Sequence, residues 1–181
     1  MPRLFTGLSV PPEVATQLST LQSGLPAARW IESGDFHITL RFFGDIHDDQ
    51  ADDLASSLGD LAHPSVPLTL NGLGAFGGDK PRMVWIGVEA SQELIALQRA
   101  QETLAQRLGH KPEGRKYTPH VTLARLRGGS AVDVGRYLSL QDHDQSFHFE
   151  ANEFVLYSAK ASTGGGPYVV EARYPLLSGL Y

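Results

Sequence analysis

The sequence predicts an α+β fold made of two similar lobes that face each other. In both halves of the chain, β-prone runs alternate with amphipathic helices, and turn residues join neighbouring strands as antiparallel hairpins. Each half also contains one copy of a His-x-Thr-Leu tetrapeptide, beginning at His37 and at His120. Random placement of the chain's residues would give roughly 0.05 such matches. The two copies therefore indicate a common purpose in the two halves.

The first half is predicted to contain four strands and two helices. Apolar runs bounded by turn residues mark the strands, and apolar residues at helical spacing mark the helices. The strands are expected at residues 3–10, 28–31, 36–43 and 66–73. One helix is expected at 12–23, and another runs from Asp48 or Asp49 to about Ala62.

The second half is predicted to contain four strands and two further helices. A glycine-rich segment at 72–81 leads into it as a hairpin turn, because no Gly-Lys-Ser/Thr sequence and no helix follow as a phosphate cradle requires. The strands are expected at 82–89, 120–126, 147–159 and 168–176, and a turn at 162–167 joins the last two. One helix is capped by Ser91 and ends at Leu108, and a short one covers 132–140.

Length and composition favour a single domain spanning residues 1–181, which is expected to be a cytoplasmic monomer. The chain has 41% hydrophobic residues and no apolar run long enough to cross a membrane. It contains no cysteine, which excludes disulfides, thiolate nucleophiles and sulfur-ligated metals. The net charge of −5 argues against a general nucleic-acid coat. Basic residues nevertheless cluster near the second tetrapeptide: Arg115, Lys116, Arg125 and Arg127.

Strand alternation is expected to place the polar residues of each tetrapeptide on one face. In the first copy it puts His37, Thr39 and Arg41 together, and it puts Ile38, Leu40 and Phe42 on the opposite, core-facing side. Two such strands could present two imidazoles across a cleft. Histidine can act as an acid or as a base near neutral pH, so the pair suits acid–base catalysis.

Other uses of the two histidines are weaker interpretations. A catalytic zinc site needs a third protein ligand, and Asp35 is the acidic residue nearest to either copy in the sequence. Neither threonine lies in a nucleophile elbow. Two core histidines would leave the repeated context unexplained. Acid–base cleavage of a phosphodiester uses every part, with Thr39, Thr122 and Arg125 holding phosphate oxygens. The spacing alone does not decide which imidazole donates the proton.

The chain resembles the 2H phosphoesterase superfamily, and within it the RNA 2′,3′-cyclic phosphodiesterases, also called 2′-5′ RNA ligases. The two tetrapeptides carry the resemblance, which extends over essentially the whole chain. It is supported by Trp30 and by the segments 3–5, 37–44, 84–88, 119–125, 155–158 and 174–176, with Tyr168. The sequence departs from the family pattern at Arg41, where Lys is frequent, and in the run of three glycines at 164–166.

The resemblance implies a fold, a reaction and roles for the site residues. Each of two pseudo-symmetric lobes would be an antiparallel sheet with helices outside, and the active-site cleft would lie between them. The implied reaction opens an RNA 2′,3′-cyclic phosphate end to a 2′-phosphate without metal or cofactor. His37 would be the proton donor and His120 the proton acceptor, while Thr39, Thr122 and Arg125 map onto phosphate-contacting positions.

The substrate and the direction of the reaction are open at this stage. The implied partners are RNAs with a 2′,3′-cyclic phosphate end, tRNA fragments among them, or cyclic nucleotides. The same site could run the reverse 2′-5′ ligation. One alternative is a phosphodiesterase for a small cyclic nucleotide or sugar phosphate, and another is a non-catalytic module that binds RNA ends.

Overall fold

The computed structural model of the protein describes residues 1–159 and 167–177, which contain nine strands and four helices. The strands are β1 (Arg3–Ser9), β2 (Ala28–Trp30), β3 (His37–Asp45), β4 (Val66–Phe76), β5 (Met83–Val88), β6 (His120–Leu126), β7 (Ser146–Ala151), β8 (Glu153–Ala159) and β9 (Val169–Pro175). The helices are α1 (Pro12–Ser19), α2 (Asp48–Gly59), α3 (Gln92–Arg107) and α4 (Ala131–Ser139). A short 3₁₀ turn, Ser33–Asp35, precedes β3.

The strands form two antiparallel halves that meet at one narrow seam. Their order is β7-β4-β5-β6-β3-β1-β8-β9, and β2 pairs with the far end of β6. At the seam between β6 and β3, Ile38 lies opposite Val121, and it is the one residue pair that joins these strands among the described residues. The two tetrapeptides therefore lie side by side at the centre of the sheet. This arrangement confirms the predicted α+β class.

The core lies on the face of the sheet opposite to the tetrapeptide histidines. Ile38 and Val121 are fully buried there, and one apolar cluster draws side chains from both halves of the sheet. Helix α3 packs against β3 of one half and β4 of the other. Its start follows the prediction, because the Ser91 hydroxyl accepts a hydrogen bond from the Leu94 backbone N–H at 3.2 Å. Among the described residues, no helix has the length and apolar content to cross a lipid bilayer.

Four predicted elements differ appreciably from the structure. The first is the helix expected at 12–23, which ends at Ser19. The strand expected at 147–159 is two strands that separate at the exposed Asn152, where the chain crosses from one half of the sheet to the other: β7 pairs with β4 and β8 with β1. Strand β4 continues to Phe76, past a register shift that accommodates Gly72 at a positive φ of 77°. The hairpin turn is thus confined to residues 77–82. The helix expected to reach Ala62 ends at Gly59.

Part of one predicted turn lies outside the described residues. Positions 160–166, which include the three glycines at 164–166, are not among them. The described chain resumes at Pro167 and leads into β9, which pairs with β8 as an antiparallel hairpin.

Candidate active site

His37 is half-buried at the start of β3, in an aromatic pocket. Its Nδ1 lies 2.8 Å from the backbone carbonyl oxygen of Asp35. A carbonyl only accepts, so Nδ1 carries the proton that is donated and Nε2 is left for chemistry. The imidazole packs against three rings, with centroids 5.0 Å from Phe5, 5.5 Å from Tyr157 and 5.0 Å from Tyr168. These contacts hold the imidazole ring in place.

His120 begins β6 and is anchored in the same way. Its Nδ1 lies 2.7 Å from the carbonyl oxygen of Thr118, again two residues earlier in the chain. Phe76 meets the imidazole edge-on at 5.1 Å between centroids, and Trp85 lies at 6.1 Å. The two histidines therefore share the same tautomer, the same Nδ1 hydrogen bond to a carbonyl two residues earlier, and aromatic neighbours. This likeness is the pseudo-symmetry that the repeated tetrapeptide predicted.

The seam brings the four polar tetrapeptide residues together. Because β3 and β6 run antiparallel with Ile38 opposite Val121, the residues on either side face each other in pairs. His37 lies beside Thr122, and Thr39 lies beside His120. The Thr122 hydroxyl donates to the sulfur of Met83 at 3.3 Å, a weak bond that a phosphate oxygen could replace.

Strands β3 and β6, which we call the motif strands because each carries a tetrapeptide, both contain a β-bulge at the leucine of the tetrapeptide. Along β3 the register with β1 moves from Thr39 directly to Arg41, which leaves Leu40 as the extra residue. Along β6 the register with β5 moves from Thr122 to Ala124, which leaves Leu123 as the extra residue. A bulge adds one residue to one strand and so reverses which side chains share a face beyond it.

The bulges decide which later residues join the site. Arg125 returns to the face of His120 and Thr122, as a phosphate-binding role requires, although plain alternation would place it on the other side. The same shift brings Phe42 to the site face, where it is 46% exposed, and turns Arg41 toward α3, where it is 7% exposed. The prediction that Arg41 shares a face with His37 and that Phe42 lies in the core is therefore wrong.

Arg125 carries a positive charge toward both histidines. Its Nε atom is buried and has no hydrogen-bond partner among the described residues. The guanidinium also contributes to lowering the pKa of each imidazole. An unsatisfied buried donor next to two histidines is a ready position for an anionic oxygen.

Burial holds both imidazoles in their neutral forms. It is the main cause that lowers the pKa of His37 to about 4, and the charges of His120 and Arg125 act in the same direction, against the hydrogen bond to Asp35. Burial also lowers the pKa of His120, with a smaller contribution from Arg125, while the hydrogen bond to Thr118 opposes the shift. A bound phosphate anion would raise both pKa values, because an opposite charge favours the imidazolium.

Sequence reasoning missed a clamp that holds the segment before His120, which we call the connector (residues 111–118). The guanidinium of Arg41 donates from Nε to the Glu102 carboxylate at 2.5 Å and from Nη2 to the carbonyl of Lys111 at 2.6 Å. The Tyr117 hydroxyl donates to the carbonyl of Thr39 at 2.7 Å. The connector that carries the anchoring carbonyl of His120 is thus tied to the opposite motif strand. No sequence pattern marked this pairing.

The seam and the two bulges place His37, His120, Thr39, Thr122 and Arg125 on the same face of the sheet. Within residues 1–159 and 167–177, no three side chains of His, Asp or Glu come together as a possible metal-ligand group. The arrangement offers two hydroxyls, a guanidinium and two imidazoles whose Nε2 atoms have no hydrogen-bond partner in the part of the chain that the structure describes. This set can move two protons while neutralising an anion, which is the chemistry of phosphodiester cleavage.

Comparisons with known proteins agree with this fold and identify the family. The profile of the 2′-5′ RNA ligase superfamily matches residues 10–163. Three proteins named RNA 2′,3′-cyclic phosphodiesterase align with this chain. The Aquifex aeolicus protein is 29% identical over 95% of this chain and 94% of its own length. The Aeropyrum pernix protein is 37% identical over 61% of this chain and 63% of its own length, and the Geobacillus stearothermophilus protein is 37% identical over 86% of this chain and 50% of its own length. The matched region thus spans less than two thirds of two of these three relatives.

A solved structure supports the two-lobed architecture. Escherichia coli LigT complexed with 3′-AMP superposes with a TM-score of 0.80 at 26% identity, covering 97% of this chain and 99% of LigT. The apo form of LigT gives a TM-score of 0.79 over 97% of each chain. The likeness extends over both halves of the sheet.

Proposed function

The chain belongs to the 2′-5′ RNA ligase superfamily, and from this premise we propose that it hydrolyses RNA 2′,3′-cyclic phosphate ends to 2′-phosphate ends. The family match confirms the resemblance drawn from the two tetrapeptides. Relatives named RNA 2′,3′-cyclic phosphodiesterase align over almost the whole chain, which supports its assignment to the hydrolases that act on phosphodiester bonds. The observation that carries the proposal is the pair of imidazoles anchored through Nδ1 on either side of the seam, with Arg125 beside them.

The proposed reaction uses the two free Nε2 atoms in opposite protonation states. His120 Nε2 takes a proton from water, whose oxygen attacks phosphorus as the bond from phosphorus to the 3′ oxygen breaks. His37 Nε2–H gives its proton to that departing oxygen, which leaves a 2′-phosphate and a 3′ hydroxyl. Thr39, Thr122 and Arg125 donate to the nonbridging oxygens as negative charge increases there. No metal takes part in this scheme.

The low pKa of His37 sets a condition on its role as donor. In the ligand-free protein a pKa of about 4 leaves this imidazole neutral at pH 7. Donation therefore requires the substrate anion to raise the pKa of His37 on binding, which a phosphate at hydrogen-bond distance does. The assignment of donor and acceptor comes from the family resemblance, and the near-symmetric geometry is compatible with either order.

Product mapping tests the reaction itself. An oligoribonucleotide that ends in a 2′,3′-cyclic phosphate should become a 2′-phosphate product in the presence of EDTA. His37→Ala and His120→Ala should each lower kcat by ~10²–10⁴-fold, since acid or base catalysis contributes that much. His143→Ala, at an exposed loop histidine, is the matched control and should retain wild-type turnover. A 3′-phosphate product, or near-normal activity in both motif variants, would refute the proposal.

A sulfur substitution separates donor from acceptor. If the 3′ oxygen of the cyclic phosphate is replaced by sulfur, the leaving group departs as a thiolate and needs no proton. His37→Ala should then regain most of its lost rate on the sulfur substrate, and His120→Ala should not. The reverse pattern would exchange the two roles.

The alternative functions predict different results in assays of turnover and binding. The reverse ligation would join a 2′,3′-cyclic phosphate end to a 5′ hydroxyl at the same site, and water at high concentration favours hydrolysis over it. Turnover of a cyclic mononucleotide in preference to an oligonucleotide would indicate a small-molecule phosphodiesterase. Stoichiometric binding without turnover would indicate an RNA-end-binding module. The RNA substrate in the cell, tRNA fragments among the candidates, and the expected cytoplasmic, monomeric state remain predictions.

A further inference from the structure

A groove of about 630 Å³ opens next to His120, on the side away from Arg125. It begins where β3 diverges from β6 beyond Thr39, and the connector and α3 form its walls. Its volume lies in the range of sites that bind small ligands. The chemistry proposed above uses the Thr39 and His120 end of this groove and leaves the rest of it unassigned.

Phe42 presents an aromatic face to this groove. The bulge at Leu40 turns its side chain out of the core, so that a large apolar ring is left 46% exposed beside the site. Phe42 occupies on β3 the position that Arg125 occupies on β6, since both follow the tetrapeptide leucine by two residues. One end of the cleft thus carries a guanidinium and the other carries a ring. An exposed ring at a functional cleft is typical of a surface on which a base stacks.

The charge of the groove favours an anionic ligand. Four basic residues line it, and its two acidic residues, Glu102 and Glu113, are each bound to an arginine. Among the described residues, neither Arg99 nor Lys116 forms a salt bridge. Their positive charge stands out on a chain whose net charge is −5. Cations that flank an aromatic face are the usual combination for binding single-stranded nucleic acid.

The groove wall is fixed before any ligand binds. The connector is tied to β3 by the bond from Tyr117 to the Thr39 carbonyl and to Arg41 through the Lys111 carbonyl. A wall that is already ordered costs less conformational entropy when a ligand binds. The groove is therefore a preorganised extension of the cleft.

We propose that this groove binds the nucleotide on the 5′ side of the cyclic phosphate end of an RNA strand. Its base stacks on Phe42, while Arg99 and Lys116 lie along the neighbouring phosphodiesters. The inference rests on the proposed function, because it takes the scissile phosphate to lie between His37 and His120. With this subsite the protein recognises more than one nucleotide of an RNA strand, and not the terminal nucleotide alone.

Three substrates separate this subsite from the chemistry. They are a nucleoside 2′,3′-cyclic monophosphate, a trinucleotide with the same end, and that trinucleotide with an abasic residue before the end. In Phe42→Ala, the ratio of kcat/KM for the trinucleotide to kcat/KM for the mononucleotide should fall about tenfold, a decrease in the range of base–aromatic stacking. The abasic substrate should show no such fall. Phe42→Leu, which keeps an apolar side chain without a π face, should behave similarly, and Leu140→Ala, at an exposed apolar residue of the other half, is the control.

The charged part of the subsite has its own readout. In the double variant Arg99→Ala with Lys116→Ala, the slope of log(kcat/KM) against log[salt] for the trinucleotide should become shallower. The expected change is about 0.7 for each phosphate that no longer has a cationic partner. Arg136→Ala, at an exposed arginine of α4, should leave the slope as in wild type.

The outcomes distinguish the subsite from the proposed function. Equal decreases in kcat/KM on all three substrates, or no decrease in kcat/KM in either Phe42 variant, would overturn the subsite. Turnover of the mononucleotide by the wild-type protein would still support the proposed chemistry in that case. Absence of turnover on every substrate would refute the proposed function and the subsite with it.

Discussion

Replacing Arg41 with alanine tests the clamp that holds the connector to the opposite motif strand. The Arg41 side chain is 7% exposed and donates three hydrogen bonds, to the Glu102 carboxylate and to the carbonyls of Phe42 and Lys111. Alanine removes all three at once. It also leaves the Glu102 carboxylate, which is 18% exposed, without its cation.

The expected loss of stability follows from burial of the remaining charge. Removing one partner of a buried ion pair costs ~3–5 kcal/mol. Glu102 keeps two other donors, the Gln106 amide and the Glu113 backbone N–H, so we expect a value near the lower limit, about 3 kcal/mol. With an m-value of about 2 kcal/mol per molar urea, the denaturation midpoint should fall by about 1.5 M. Urea denaturation followed by far-UV circular dichroism measures this shift.

A surface pair in the same protein provides the comparison. Arg173 contacts Glu153 at 2.8 Å, and its side chain is 57% exposed. Arg173→Ala should cost less than about 1 kcal/mol, because solvent screens exposed pairs. If Arg41→Ala costs no more than Arg173→Ala, the clamp does not stabilise the fold. If Arg41→Ala is destabilised but turns over the cyclic phosphate substrate at the wild-type kcat, the clamp does not position His120 through the connector.

Three further predictions concern the cleft. The folded pKa of His37 is about 4, so this residue gains a proton on unfolding between pH 6.5 and 4. The free energy of unfolding should therefore fall by up to about 3 kcal/mol as the pH decreases through this window. Urea titrations of His37→Asn should lack this pH-dependent decrease. Gly74→Ala would place a Cβ in steric conflict with the Trp85 indole, which must shift from its present position beside His120, and kcat should fall at unchanged net charge. Arg125→Ala should lower kcat on the cyclic phosphate substrate by about 100-fold, as loss of one donor to a developing oxyanion does, and a decrease under threefold would remove Arg125 from that role.

The sequence predicted the elements and pointed to the candidate site residues because periodic and repeated patterns carry that information. The strand at 120–126 was placed with its final bounds, and the α3 cap at Ser91 was identified from residue type alone. The repeated tetrapeptide located both histidines and both threonines. These features depend on local backbone preference and on side-chain alternation, which a single sequence records.

The arrangement beyond each tetrapeptide could not be predicted, because it depends on bulges. Leu40 and Leu123 look like ordinary alternating core residues, and only pairing with β1 and β5 shows that each is an extra residue. The same limit explains the error at Asn152. Nothing local distinguishes one long strand from two strands that pair with different partners, since the choice is made by the sheet as a whole.

The bulge at each tetrapeptide leucine decides which side chain follows the histidine and the threonine on the same face of the sheet. The imidazoles and hydroxyls lie before it on paired backbone, where the spacing is set by the sheet and tolerates little change. The residues after it, Phe42 and Arg125, also lie on paired backbone, opposite Phe5 and Met83, and they project at opposite ends of the seam. A substitution at Phe42 therefore changes the contacts of one lobe while the paired backbone that holds His37 and Thr39 stays as it is. The two lobes thus share the same bulge and differ in the side chain that follows it, so a change at this position alters one lobe and leaves the backbone of the other unchanged.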